Sequence, residues 1–294
     1  MKSKSKTRSM LIFALFVFPA VAFVLFATDV PFLMNLYYAF FKWNGISTEM
    51  EFVGFQNFID IFTKDTFFWK SAIFTVKFAI FYVIIVNVVS LAVALVMSKE
   101  KKSSSVGRAF YYVPYIISLT AISLIWKFIL GPGFEALYQT TGWELFNWSW
   151  LGSIKLSFYV VVVMTVWQNL GFYMVNYIAG IIAVPKELIE AAKIDGANKF
   201  QVLRKVTMPL IMPSISICML TSLTFAFKLF DVIMVFTKGG PANSTVTVAY
   251  NIYKEAFMSR SYGMATAKSL VFVAFVLVVT VIQLKITKSK EIEA

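Results

Sequence analysis

Six long apolar runs constrain this chain more than any other feature. They cover about residues 10–38, 73–97, 109–130, 156–183, 209–236 and 266–285. Each supplies the roughly 20 apolar residues that an α-helix needs to cross a bilayer. Several exceed that length, so tilted or kinked helices are expected. The pattern predicts an all-α polytopic membrane protein with six transmembrane helices. Composition agrees: 59% of the 294 residues are hydrophobic and 14% charged, with a mean hydropathy of +0.76. A soluble domain spends about a quarter of its residues on charge.

Two further counts exclude chemistry. The sequence has no histidine, which removes Ser-His and Cys-His nucleophile pairs and His-ligated metal sites. Its one cysteine, Cys218, removes internal disulfides and cysteine-cluster metal sites and reads as packing. Hydrolysis by its own side chains is therefore not expected.

The net charge of +12 is spent on orientation, because Lys and Arg collect on the cytoplasmic side of short loops. Sixteen basic residues fall in alternate segments: Lys2, Lys4, Lys6 and Arg8; Lys99, Lys101, Lys102 and Arg108; Lys186, Lys193, Lys199, Arg204 and Lys205; Lys285, Lys288 and Lys290. Eight fall between them: Lys42, Lys64, Lys70, Lys155, Lys238, Lys254, Arg260 and Lys268. Both termini are thus expected in the cytoplasm. Leu11 to Phe18 followed by Ala20-Val21-Ala22 imitates a cleavable leader. Phe23 to Phe26 carries the apolar run past that point, which favours a retained first span. Hydropathy divides the chain into 1–72 (tail, first span, first extracytoplasmic segment), a five-helix core at 73–285 and a tail at 286–294. Residues 41–72, with Trp43, Phe52, Phe55, Phe58, Phe62 and Trp69 among their rings, are too aromatic for a disordered loop. Trp143, Trp148 and Trp150 sit like an interfacial belt.

One cytoplasmic connection is more than a linker. Residues 185–209 read as two short helices around a turn. Pro185 opens the first, Lys186 and Glu190 share a face four apart, and Leu188, Ala191 and Ala192 form a small apolar surface. Asp195-Gly196 signals the turn. Phe200, Leu203 and Val206 recur at helical spacing, and Pro209 leads into the next span. Two alanines beside a glutamate suit a helix docking in a partner's groove; an amphipathic helix resting on lipid fits equally well.

Glu190-Ala191-Ala192, then Gly196, then Val206-Thr207-Met208-Pro209 resembles the signature loop of binding-protein-dependent ABC importer permeases, with Val206 and Met208 as conservative departures. Further segments resemble the same family: Phe52 to Phe58, Val113 to Ile117 with Leu124 to Lys127, Val166 to Phe172, Phe227 to Asp231 and Thr237 to Pro241. The nearest group is the sugar permeases of the maltose, glycerol-3-phosphate and multiple-sugar type. The resemblance implies the six-helix type I importer permease fold in a bacterial inner membrane. It also implies a coupling helix in which Glu190 anchors, Ala191 and Ala192 pack closely, and Asp195, Gly196 and Lys199 complete the loop. The implied partners are a second, different permease, two cytoplasmic ATPase subunits, an extracytoplasmic sugar-binding protein, the sugar and the lipid bilayer, with no nucleic acid. The sequence lacks a G-x-x-x-x-G-K-[ST] phosphate loop, so the chain holds no cofactor of its own, and ATP and Mg belong to the partner ATPase.

For the substrate path the residues offer several candidates. Trp167, Gln168, Asn169, Tyr173 and Asn176 combine amides with aromatic rings, which suits sugar hydroxyls and C–H faces; hydrogen bonding between spans would use the same groups. Lys228 and Asp231, three apart in the fifth span, are expected to pair on one helix face, either as a structural pair that stabilises the bundle or, with Phe225, as a border of the cavity. Lys77 and Lys127 are expected to snorkel to the outer surface. An ion-coupled secondary transporter would want buried acids or histidines and paired repeats, and a membrane transferase would want clustered acids or a metal. Neither pattern is visible in the sequence.

Overall fold

The computed structural model describes residues 2–98 and 102–289. Lys99, Lys101 and Lys290 from the charge count, and residues 290–294 of the tail, lie outside the described residues. The first apolar run forms α1 (Lys2–Val24), a widened π turn at Leu25–Asp29 and α2 (Val30–Tyr38). Pro31, which has no N–H for the carbonyl four residues back, sits just after the widened turn. A two-residue antiparallel pair, β1 (Phe41–Lys42) and β2 (Glu51–Phe52), then leads to α3 (Gln56–Thr63). Within α3, Lys64 (2.7 Å) and Gln56 (2.9 Å) both reach Asp60 and hold its carboxyl below its ordinary value, Lys64 contributing most.

The remaining elements are α4 (Thr66–Met97), α5 (Lys102–Ile116), α6 (Leu119–Phe128), α7 (Phe134–Thr141), α8 (Glu144–Asn147) and α9 (Ile154–Ala183). After them come α10 (Lys186–Ile194), α11 (Lys199–Val202), α12 (Met208–Leu210), α13 (Met212–Phe227), α14 (Val248–Tyr253) and α15 (Tyr262–Lys288). Among the described residues five helices are long and apolar enough to cross a membrane: Ile12–Tyr38, Thr66–Met97, Leu119–Thr141, Ile154–Ala183 and Tyr262–Lys288. The pair Lys199–Leu210 and Met212–Phe227, bent by 70°, makes a sixth if counted as one broken span.

Two runs that hydropathy reads as continuous are interrupted. The third, expected over 109–130, breaks between α5 and α6, where Ser118 accepts a hydrogen bond from the Ala121 N–H (3.3 Å) and caps the new helix. The fifth, expected over 209–236, bends before Pro213 and ends as a regular helix at Phe227. Proline supplies the cause at the bend, since it cannot continue the backbone ladder. The end at Phe227 undoes the expected Lys228–Asp231 pair. Without a helix across 228–231 the two residues do not share a face; both are exposed and no ion pair joins them.

Contacts group the chain into two compact units. One contains the residues up to Asp65 with Ile252–Val273; the other contains Thr66–Asn251 with the chain from Ala274 onwards. In the first, Asn57 donates to the carbonyls of Ala39 (2.8 Å) and Phe41 (3.0 Å). Lys268, 1% exposed, lies 2.6 Å from both Asp65 and Glu255. Hydropathy counted Lys268 as an outer basic residue; in the fold it is the centre of a buried charge cluster.

The second unit holds the central helix, α9, against α4, α5 and α13. Small residues set the approach. A Cβ on Gly171 would strike the Tyr111 carbonyl oxygen and come within 2.6 Å of the Tyr112 Cα, so α5 crosses α9 backbone to backbone. Gly180 receives the Ser214 hydroxyl of α13 in the same way. A polar clamp joins three helices: Tyr177 donates to the Asn87 side-chain oxygen (2.6 Å), and the Asn87 side-chain amide donates to the Ser222 hydroxyl (2.9 Å). The outer face of α4 (Ile80, Ile84, Val88) stays exposed and apolar, as a lipid-facing surface requires.

Candidate functional site

The second unit carries an open cavity of about 640 Å³, within the range of small-molecule sites. Its walls come from three places. α9 supplies Gln168, Asn169, Phe172 and Tyr173; α13 supplies Thr221 and Phe225; the end of α5, the break and the start of α6 supply Tyr112, Tyr115 and Ile116 to Leu119. The break explains why a cavity forms there. Non-helical backbone at membrane depth is stable only where it is buried or lines such a space, and the Ile117 carbonyl accepts from the Gln168 amide at 3.5 Å. Tyr115 and Phe172 stack with centroids 4.9 Å apart and planes 24° from parallel. Asn169 is 4% exposed and donates to the Thr165 carbonyl (2.9 Å).

Four of the eight residues proposed from sequence for the substrate path therefore share this wall: Gln168, Asn169, Tyr173 and Phe225. The other four do not line it. Trp167 faces away, 42% exposed, and packs edge-on against Trp126 at 5.7 Å. Asn176 folds back onto its own helix, donating to the Phe172 carbonyl (2.8 Å). Lys228 and Asp231 follow the end of α13 and are exposed. Tyr112, Tyr115 and Ser118 were missed. The available signal was Pro114 with Ser118 in an apolar run, since interrupted spans mark binding sites in transporters. Lys77, which is exposed, sits over the Phe158 ring at 4.4 Å, a cation–π contact.

The 185–209 loop is a second site, and its geometry is tight. α10 ends in paired hydrogen bonds, Gly196 N–H to the Lys193 carbonyl (3.1 Å) and Ala197 N–H to the Ala192 carbonyl (3.0 Å). This pattern requires a left-handed residue after the C-cap, and Gly196 has φ +82°. Two residues later Asn198 opens α11 with a reciprocal box: Gln201 N–H to Asn198 (2.9 Å) and Asn198 N–H to Gln201 (2.8 Å). The turn between the helices is thus fixed at both ends. Glu190, Ala191, Asp195, Gly196 and Lys199 are exposed and Ala192 is half-buried. Leu188, Ile194 and Phe200 also lie open, at 46%, 86% and 67% exposure, so this loop presents an apolar surface that the chain itself does not cover. Among the described residues no cluster of three acidic or cysteine side chains could hold a metal ion.

A helical membrane unit with a pocket among its helices and a capped loop projecting from it is an arrangement that suits a permease subunit. The chain belongs to the family of binding-protein-dependent transport system inner membrane components, whose family model matches residues 86–291. It is 36% identical to the probable starch degradation products transport system permease protein of Thermoanaerobacterium thermosulfurigenes, over 95% of this chain and 94% of that one. It is 29% identical to a multiple sugar-binding transport system permease protein of Streptococcus mutans, over 89% and 90% of the two chains. The fold matches that of a bacterial ABC transporter that imports the acidic polysaccharide alginate, with a TM-score of 0.82 at 19% identity over 97% and 98% of the chains. The protein is a multi-pass inner-membrane permease that works with a solute-binding protein.

Proposed function

We propose that this chain is the transmembrane subunit of an ATP-driven importer that takes up a sugar or oligosaccharide. The observation that carries the sugar assignment is the cavity, where the amides of Gln168 and Asn169 stand beside the stacked rings of Tyr115 and Phe172. Amides serve hydroxyls and rings serve C–H faces, and the relatives named for starch products and multiple sugars support the same reading.

In this reading both termini are cytoplasmic, and the loop of α10 and α11 docks on one of two ATPase subunits, which bind ATP and Mg. Glu190 gives a polar anchor, and Ala191 and Ala192 allow close approach. Asp195, Gly196 and Lys199 hold the turn, and Leu188, Ile194 and Phe200 bury their exposed surface in the partner. A second homologous permease completes the pathway. The first span, most of whose residues are exposed and none of whose apolar window is buried, supports an additional partner or lipid around it.

The test is uptake into proteoliposomes containing both permeases, the ATPases and the binding protein. Sugar accumulation should require ATP and the ATPase subunits. Accumulation driven by an ion gradient without them would show a secondary transporter instead.

A further inference from the structure

The first span carries an acid that the rest of the chain leaves without a cation. Asp29, the first acid in the sequence, lies within the membrane-length helix Ile12–Tyr38, nine residues and about 14 Å of helix from its Tyr38 end. It closes the widened π turn at Leu25–Asp29, a feature that often marks functional positions in helices. Its side chain is exposed, and among the described residues no ion pair reaches it. The Thr28 hydroxyl lies 3.2 Å from its carboxylate and 2.6 Å from the Val24 carbonyl. A hydroxyl has one proton to donate, and the nearer carbonyl takes it. Asn35 shows which side of this helix is already covered: it is half-buried and donates to the Ser269 hydroxyl of α15 at 2.7 Å. At about 100° per residue, Asp29 stands about 120° round the helix from Asn35. Leu25, Phe32, Leu33 and Leu36 share the Asp29 side and are all exposed.

From this we infer that the Asp29 face of the first span is the docking surface for a helix of the second permease, and that this helix presents a lysine or arginine to the Asp29 carboxylate. The inference rests on the importer reading above, which calls for a second permease, and adds where that subunit sits and what chemistry holds it. Acyl chains carry no donor, and an ionised carboxylate among them is costly; acids inside spans face protein or water and pair there. The depth of about 14 Å keeps the ammonium of a lipid headgroup out of reach. A protein helix meets both needs of this face. Its apolar side chains pack on Leu25, Phe32, Leu33 and Leu36, and its cation answers Asp29. Apolar packing alone leaves two membrane helices free to slide and rotate, whereas one charge pair fixes depth and rotation together.

The test uses the complete importer in membranes, with the photo-crosslinker p-benzoylphenylalanine in place of Phe32 and the adducts identified by mass spectrometry. Illumination should join this chain to the second permease, with a yield about tenfold above that of the same probe at Ile84, on the exposed apolar face of α4. Adducts to lipid alone, or equal yields of permease adduct at the two positions, would overturn the docking surface. Recovery of the second permease with this chain in mild detergent then reads the charge. Breaking one member of a desolvated pair strands the other, so Asp29→Asn and Asp29→Leu should each lower recovery about tenfold, and Asp29→Glu should keep most of it. Full recovery with both neutral variants would overturn the role of Asp29. The crosslink is made with Asp29 in place, so it decides the surface even if those variants fail to insert. ATP-dependent uptake by the unaltered complex separates the two readings. Its absence removes the importer and this inference with it; uptake together with lipid-only adducts removes this inference alone.

Discussion

Gly196 offers the sharpest perturbation of coupling. Its φ of +82° lies where an L side chain costs about 1–2 kcal/mol, and a β-branched one costs more. A Cβ built there meets nothing within 4 Å, so a substitution creates no clash, and the penalty is backbone strain alone. Gly196→Val therefore loads about 2 kcal/mol onto one turn, enough to shift a local equilibrium about 30-fold away from the two closing hydrogen bonds. The spans lie outside that turn, so insertion and assembly should persist. Measured together in proteoliposomes, sugar uptake should fall at least tenfold while ATP hydrolysis continues. Gly196→Asn, which tolerates the left-handed conformation, should retain most of the uptake. Wild-type uptake by Gly196→Val, or equal damage from both substitutions, would refute the argument that this turn transmits the ATPase motion through its shape.

Other perturbations are read more simply. Lys268→Met removes the buried ammonium that Asp65 and Glu255 both contact; a broken buried pair costs about 3–5 kcal/mol. The carboxylates keep some water contact, with side chains 19% and 23% exposed, so about 3 kcal/mol is expected, read as a lowered Tm in detergent; an unchanged Tm refutes it. Gly171→Ala pushes a methyl into the Tyr111 carbonyl and should cost about 3 kcal/mol by prying α5 from α9. Gly131→Ala, whose methyl meets nothing within 4 Å, should change thermal stability little, and equal effects would count against the close crossing. For Asp60 the carboxyl is lowered in the fold, so its contribution is complete above the ordinary carboxylate value. It disappears as pH falls through the lowered one. A carbon-13 carboxyl titration should show the Asp60 midpoint rising in Lys64→Ala, and an unmoved midpoint removes Lys64 as the cause.

What could be read from sequence follows from which forces are periodic. Burial in lipid acts on every residue of a span, so hydropathy found the helices at 73–97 and 156–183 within the longer α4 and α9. The Asp195-Gly196 turn was equally legible, because a left-handed position selects its residue type locally. The breaks were not legible, because averaging over 20 residues hides one Ser118 or one Pro213. Asn87, Tyr177 and Ser222 are far apart in sequence, and nothing local announces that they meet. Lys268 looked like an outer-surface charge for the same reason, since its two carboxylates come from positions 65 and 255. The substrate-path candidates divided only partly along this line. On the regular helix α9, Gln168, Asn169 and Tyr173 reach the cavity, while Trp167 and Asn176 of the same helix turn away from it. Lys228 and Asp231 were assigned a shared helical face, and the helix ended before it could provide one. The irregular positions that hydropathy averages away are those that shape the cavity. Ser118, between Ile117 and Leu119 on the cavity wall, is the clearest instance: its cap lets α6 begin where α5 has stopped, and the interruption gives the cavity one of its three walls.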